Sequence, residues 1–203
     1  MEQEQEELEQ TPQKHNVTQE EVLQAALKLF AKNGYFNTSL TDLKDALGLK
    51  TNTGINQHFK TKQAIAQALH EQIFDSLSIS VDDIRRRNRK AAEQLREVVD
   101  LLFKLTDDAP EIVQFLLFVK SEEFLAEPKP LLETAAFNKI KRIFQNGVRD
   151  GEIRAIDPLL AYTYFFGIIN QMLAMVLNGS LPKSAESYLA QAWITAWGAI
   201  VKK

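Results

Sequence analysis

The stretch GLKTNTGINQHFKTK, Gly48–Lys62, carries no acidic residue and only three large apolar ones, Leu49, Ile55 and Phe59. It lies between two strongly apolar helical patterns. A helix buried in a core would need more hydrocarbon there, and a helix facing only water would alternate glutamate with lysine. Threonines, asparagines, a glutamine and a histidine instead offer neutral donors and acceptors, the chemistry of a surface that reads another molecule.

Outward from this stretch the pattern is helical. Upstream, TQEEVLQAALKLFAKNG begins with Thr18 and Glu21 at capping-box spacing and ends on Gly34, with Val22, Ala26, Leu29 and Phe30 forming one stripe. Next comes TSLTDLKDALG, a shorter helix with Ser39 as cap and Leu40, Leu43 and Leu47 inside. Gly48 breaks the chain, and the polar stretch forms a third helix of roughly two turns. Three short helices with a glycine turn before the third are a helix-turn-helix arrangement. From Thr61 a longer helix runs with Ile65, Leu69, Ile73 and Leu77 on one face. Helices near 90–107, 110–126, 131–150, 158–177 and 184–202 follow, the fourth of these started by Asp157 and Pro158. Nothing alternates with period two for long enough to make a strand. The expected fold is all-α, with about nine helices. Residues 1–16 form a disordered acidic tail, 17–62 a helix-turn-helix domain and 63–203 a larger helical body.

Composition narrows the class. The 203 residues are 45% hydrophobic and 25% charged, with no cysteine, which excludes disulfide scaffolds and thiolate metal sites and suits a reducing cytoplasm. The first thirteen residues hold five glutamates and no h-region, unlike a secretory signal. Although the net charge is -3, residues 14–70 hold seven lysines against four acids, so a basic head sits on a near-neutral body. No HExxH, glycine-rich phosphate loop, nucleophile motif or metal-ligand spacing occurs. Glu122 and Glu123 are adjacent on a helix and point about 100° apart, a poor acid pair. The chain is expected not to be an enzyme and to need no cofactor or metal. PLLAYTYFFGIINQMLAMVL approaches the length of a membrane span, but its two tyrosines, Thr163 and the Asn170–Gln171 pair suit a buried helix better, and no membrane is expected as partner.

VLQAALKLFAKNGYFNTSLTDLKDALGLKTNTGINQHFKTKQAI resembles the DNA-binding domain of TetR-family transcriptional regulators. The landmarks are the alanine pair before Leu29–Phe30, Gly34–Tyr35, Thr38, the Gly48–Leu49 turn, His58–Phe59 and Lys62. Asn56 stands where that pattern usually has tyrosine, and the span from Gly48 to Phe59 is one residue longer. The added residue either lengthens the turn or rotates the third helix by about 100°. The resemblance implies a cytoplasmic homodimer whose helical body binds a small molecule and so controls affinity for double-stranded DNA, as a repressor released by its ligand. The alternative is a helical dimer that has lost operator binding and acts through protein partners.

Within that reading Thr51, Asn52, Thr53, Asn56 and Gln57 supply neutral donors and acceptors for base edges in the major groove. No arginine precedes Arg85, so the bidentate guanine contact is missing and a near-palindromic operator with A·T at its discriminating positions is expected. Lys50, Lys60, Lys62 and Thr38 are placed for phosphates. Thr51 and Asn52 are equally suited to capping, and His58 either packs at the helix end or touches the DNA backbone. In the body, Phe103, Phe115, Phe118, Phe144 and Tyr164 are either core or the wall of a pocket for an apolar or amphipathic effector. Asn170 orients that ligand or bonds across a dimer. Phe166, Met172, Leu189, Trp193, Trp197 and Ile200, on the last two helices, are the expected dimer anchors, with intramolecular packing as the alternative.

Overall fold

The computed structural model describes residues 16–128 and 133–203, so all of the acidic tail but Asn16 lies outside the described residues. Among them the chain forms nine α-helices, one 3-10 turn and a single isolated bridge, Ile153 to Val201, with no strand. The head holds α1 (Gln19–Asn33), α2 (Leu40–Ala46) and α3 (Thr53–His58), and α4 (Lys62–Arg87) leads out of it. The body adds α5 (Ala91–Asp108), α6 (Pro110–Phe118), α7 (Ala135–Arg149), α8 (Pro158–Leu177) and α9 (Glu186–Gly198).

Capping signals set the ends of the head helices. Thr18 and Glu21 close one capping box, Ser39 and Asp42 another, and the Thr61 hydroxyl accepts from Ala64 N at 3.0 Å. Each removes orphan N–H groups from a helix start. Gly48 at φ +66° makes the turn after α2, a conformation with a steric penalty for other residues. In the body, two helix starts are capped from far away in sequence. Glu152 accepts from Ala91 N and Ala92 N at 2.8 and 3.2 Å, and Asp107 from Ala185 N and Glu186 N at 2.7 and 3.0 Å.

Two apolar cores result. The head core centres on Val22, Ala26, Phe30, Leu43 and Ile55 and takes Ile65, Ala66, Leu69 and Ile73 from α4. The body core takes Leu77, Val81 and Ile84 from the same helix and packs them with α5, α7, α8 and α9. The division expected after residue 62 therefore falls in the first turn of a helix that serves both cores. Phe115 and Phe124, far along the chain, also belong to the head core.

One helix differs from expectation. The segment 110–126 is helical only to Phe118; Val119 is extended and Ser121–Glu123 form a 3-10 turn. This lets Phe124 turn back beneath the head, where it is 2% exposed. Its ring lies 5.6 Å from Tyr35, 5.8 Å from His70 and 6.4 Å from Phe115. Its carbonyl accepts from Gln63 and Gln67 of α4 at 2.8 and 3.3 Å. Burial at this junction holds the His70 imidazole below its usual range.

Candidate nucleic-acid interface and effector pocket

α3 is amphipathic over its six residues. Ile55 is fully buried, whereas Thr53, Asn56 and Gln57 are exposed. At about 100° per residue those three fall within an arc of about 100° on the side away from Ile55. Asn56 and Gln57 therefore face outward. Gly54 lets α3 settle close: a Cβ there would lie 2.9 Å from the Val17 Cγ1.

Of the residues expected at a DNA surface, Thr38, His58 and Lys62 bond to the head's own backbone, and Asn52 is half-buried. Thr38 is 1% exposed and its hydroxyl donates to Gly34 O at 2.9 Å, holding the turn between α1 and α2. Asn52 is half-buried before α3; its Oδ1 is buried without a partner, and its side chain makes no capping bond. His58 Nε2 donates to Val17 O at 2.7 Å and ties the start of the described chain to α3, which is the packing role. The Lys62 ammonium donates to Tyr35 O at 2.8 Å and lies 4.1 Å from the centre of the Tyr35 ring. Burial draws its pKa down, against the pull of Asp42 and Glu123.

Lys50, Thr51, Thr53, Asn56, Gln57 and Lys60 remain exposed. The Thr51 hydroxyl donates to Thr53 Oγ1 at 3.1 Å, and Lys60 Nζ rests on Asn56 O at 2.9 Å at the surface. Described acids are absent from α3 and from the turn before it.

Behind the head, a cavity of about 150 Å³ lies among α4 to α8. Leu77, Leu117, Phe137, Tyr162, Phe166 and Asn170 line it, with Asn170 as an amide in an apolar wall. Of the expected pocket residues only Asn170 is here. Phe103 and Phe144 are buried in the body core, Phe115 braces the head, and Phe118 and Tyr164 are 53% and 44% exposed. Tyr162, missed as a pocket residue, and Phe166, expected at the dimer seam, share one face of α8 with Asn170: the three repeat every four residues, a spacing visible in the sequence. Burial pushes the Tyr162 phenol from 10.0 up to about 12, so it stays a neutral donor near pH 7. The raised folded value means that the unfolded chain loses this proton first. Stability from this group is expected to be complete below pH 10 and to be lost as pH rises through about 12. Burial also raises the Tyr35 phenol, so an ultraviolet titration should show late-ionising tyrosines whose amplitude falls in Tyr162→Phe.

The expected dimer anchors also shift. Phe166 and Ile200 are buried within the chain, and Met172 and Leu189 pack on the body core. Trp193 and Trp197 stack on each other at 5.5 Å, and Trp193 meets Phe165 at 5.9 Å and the Arg96 guanidinium at 5.5 Å. Trp193 and Trp197 thus pack partly within the chain, each keeping part of its surface open. The outward face of the last two helices is different: Leu160, Tyr164, Gly167, Gln171 and Met175 of α8, beside Ile194 and Gly198 of α9, are all exposed, Ile194 by 70%.

The sequence model described as bacterial regulatory proteins, tetR family, matches residues 22–69, which is α1 through the first third of α4. The head is thus similar to the DNA-binding segment of tetR-family proteins. Beyond it, likeness is one of fold. A TetR family transcription regulator from Marinobacter aquaeolei VT8 is 21% identical, with a TM-score of 0.71 over 91% of this chain and 96% of that one. The transcriptional regulator FadR from Bacillus subtilis, in complex with stearoyl-CoA, is 19% identical with a TM-score of 0.69, over 90% and 100% of the two chains. A ketosteroid transcriptional regulator of Mycobacterium tuberculosis is 19% identical with a TM-score of 0.69, over 93% and 97%. No curated protein matches the sequence.

Proposed function

We propose that this chain is a DNA-binding transcription regulator, acting as a homodimeric repressor that leaves a near-palindromic operator when a small apolar or amphipathic molecule enters the body. The observation that carries this reading is α3: a tetR-family helix held by Ile55, with Thr53, Asn56 and Gln57 turned outward as a neutral hydrogen-bonding face. Such a face suits major-groove edges, with asparagine and glutamine pairing best with adenine. Lys50 and Lys60 flank it for phosphates. An operator lies in the cytoplasm, and two heads related by a twofold axis would meet grooves about 34 Å apart.

The effector reading rests on the cavity lined by Tyr162 and Asn170. At about 150 Å³ it is smaller than the ~300 Å³ of ordinary ligand sites. A ligand must therefore spread the helices around it, α4 among them, and α4 carries that strain to the head. The solved relative holding stearoyl-CoA shows that this fold accepts acyl ligands in another protein.

Selection of bound fragments from genomic DNA tests the proposal. Recovery of one near-palindrome rich in A·T at its most discriminating positions is the expected outcome. Recovery of no preferred site would overturn it and favour a dimer that works through protein partners. The two lysines near α3 should separate cleanly. Lys60→Ala is expected to flatten the dependence of log affinity on log salt by roughly one unit per phosphate contact, hence about two for a dimer. Lys62→Ala should leave that slope nearly unchanged and lower the melting temperature, because its ammonium serves Tyr35.

A further inference from the structure

A second crevice, of about 320 Å³, opens between head and body, separate from the cavity beside Asn170. Its walls are apolar: Leu69, Ile73 and Leu77 of α4, Leu23 of α1, Leu101 of α5 and Ile112 of α6. Leu23, Leu69, Ile73 and Leu77 are themselves buried, so a guest would meet packed hydrocarbon and not loose surface. Neutral polar groups, Gln24, Gln72, Ser76 and Ser80, stand around it.

Charge then selects the guest. Among the described residues lining the crevice the one ionisable side chain is Glu20, and no lysine or arginine lines it. Glu20 sits in the first turn of α1, where the helix dipole favours a carboxylate, and Gln24 Nε2 donates to it at 3.4 Å. A ligand with a carboxylate or phosphate end would face that anion without a counter-charge. A hydrocarbon with an ammonium end matches both parts.

We infer that this crevice is a second small-molecule site, and that it takes a cationic amphiphile, with the alkyl part against the α4 leucines and the cation beside Glu20. A molecule seated there touches α1, α4, α5 and α6 together, so it holds the head against the body.

Titration calorimetry of the full chain, without DNA, with decyltrimethylammonium, decanol and decanoate below their micellar concentrations, tests this. Because no DNA is present, the result is independent of the operator reading. The ammonium is expected to bind one per chain and at least roughly ten-fold more tightly than decanoate. Glu20→Gln should bring the two within about two-fold of each other. Ser76→Trp, which projects an indole from an exposed rim position, should abolish binding of both; Gln72→Trp does the same if the first variant folds poorly. Asn170→Leu, in the other cavity, should change nothing. Decanoate binding as tightly as the ammonium, or retention of binding in both tryptophan variants, or its loss in Asn170→Leu, would each overturn the assignment.

Discussion

Gly167→Arg is expected to turn the proposed dimer into a folded monomer and to weaken operator binding by a factor on the order of 10²–10⁴, the avidity gained by linking two binding modules. Gly167 lies midway along the outward stripe of α8, between Tyr164 and Gln171, and a Cβ built on it meets nothing within 4 Å. The protomer therefore has room for the new side chain, and replacing a mid-helix glycine should favour α8 itself. A partner packed against Leu160, Tyr164, Gly167 and Met175 would have to bury an unpaired guanidinium, which costs several kcal/mol. Light scattering should give half the parental mass with the same helical circular dichroism. A dimer that survives with unchanged affinity for itself would remove this face from the interface. Substituting Trp193 or Trp197 would be a poorer experiment, since both also pack on the body core and their loss would disturb the protomer itself.

Phe124→Ala should destabilise the protein by about 3–5 kcal/mol, the usual cost of emptying a buried phenylalanine site. The ring fills the space between Tyr35, His70 and Phe115, so its loss opens a cavity where head and body meet. The bonds from Gln63 and Gln67 go to the backbone carbonyl and remain available, which makes the experiment one of packing. Urea denaturation should show the lower midpoint, and amide exchange should quicken in α1 and the first half of α4 ahead of α8. A loss below about 1 kcal/mol would mean that the ring is dispensable to the junction.

Much of this architecture is legible in the sequence because its signals are local. Thr18 with Glu21, Ser39 with Asp42 and Asp157 before Pro158 announce helix starts through bonds spanning two or three residues. The outward face of α3 follows from the same periodicity once Ile55 is taken as the inward residue. What stays hidden depends on distance along the chain. Glu152 and Asp107 cap helices about sixty and eighty residues away, and Phe124 reaches its partners only because α6 stops without a glycine or proline. Lys62 looks like a phosphate ligand until the Tyr35 carbonyl, 27 residues earlier, claims it. Aromatic residues on α8 and α9 were separable into inward and outward sets only with their neighbours in place, since both faces of those helices are apolar.

α4 gives its first half to one core and its second half to the other, over 26 residues or about 39 Å. Neither core is complete without it, and unwinding it between Ile73 and Leu77 strips side chains from both. Head and body should therefore melt as one cooperative unit. A calorimetric trace should show a single endotherm whose van't Hoff and calorimetric enthalpies agree, and a fragment ending after α3 should fail to fold on its own.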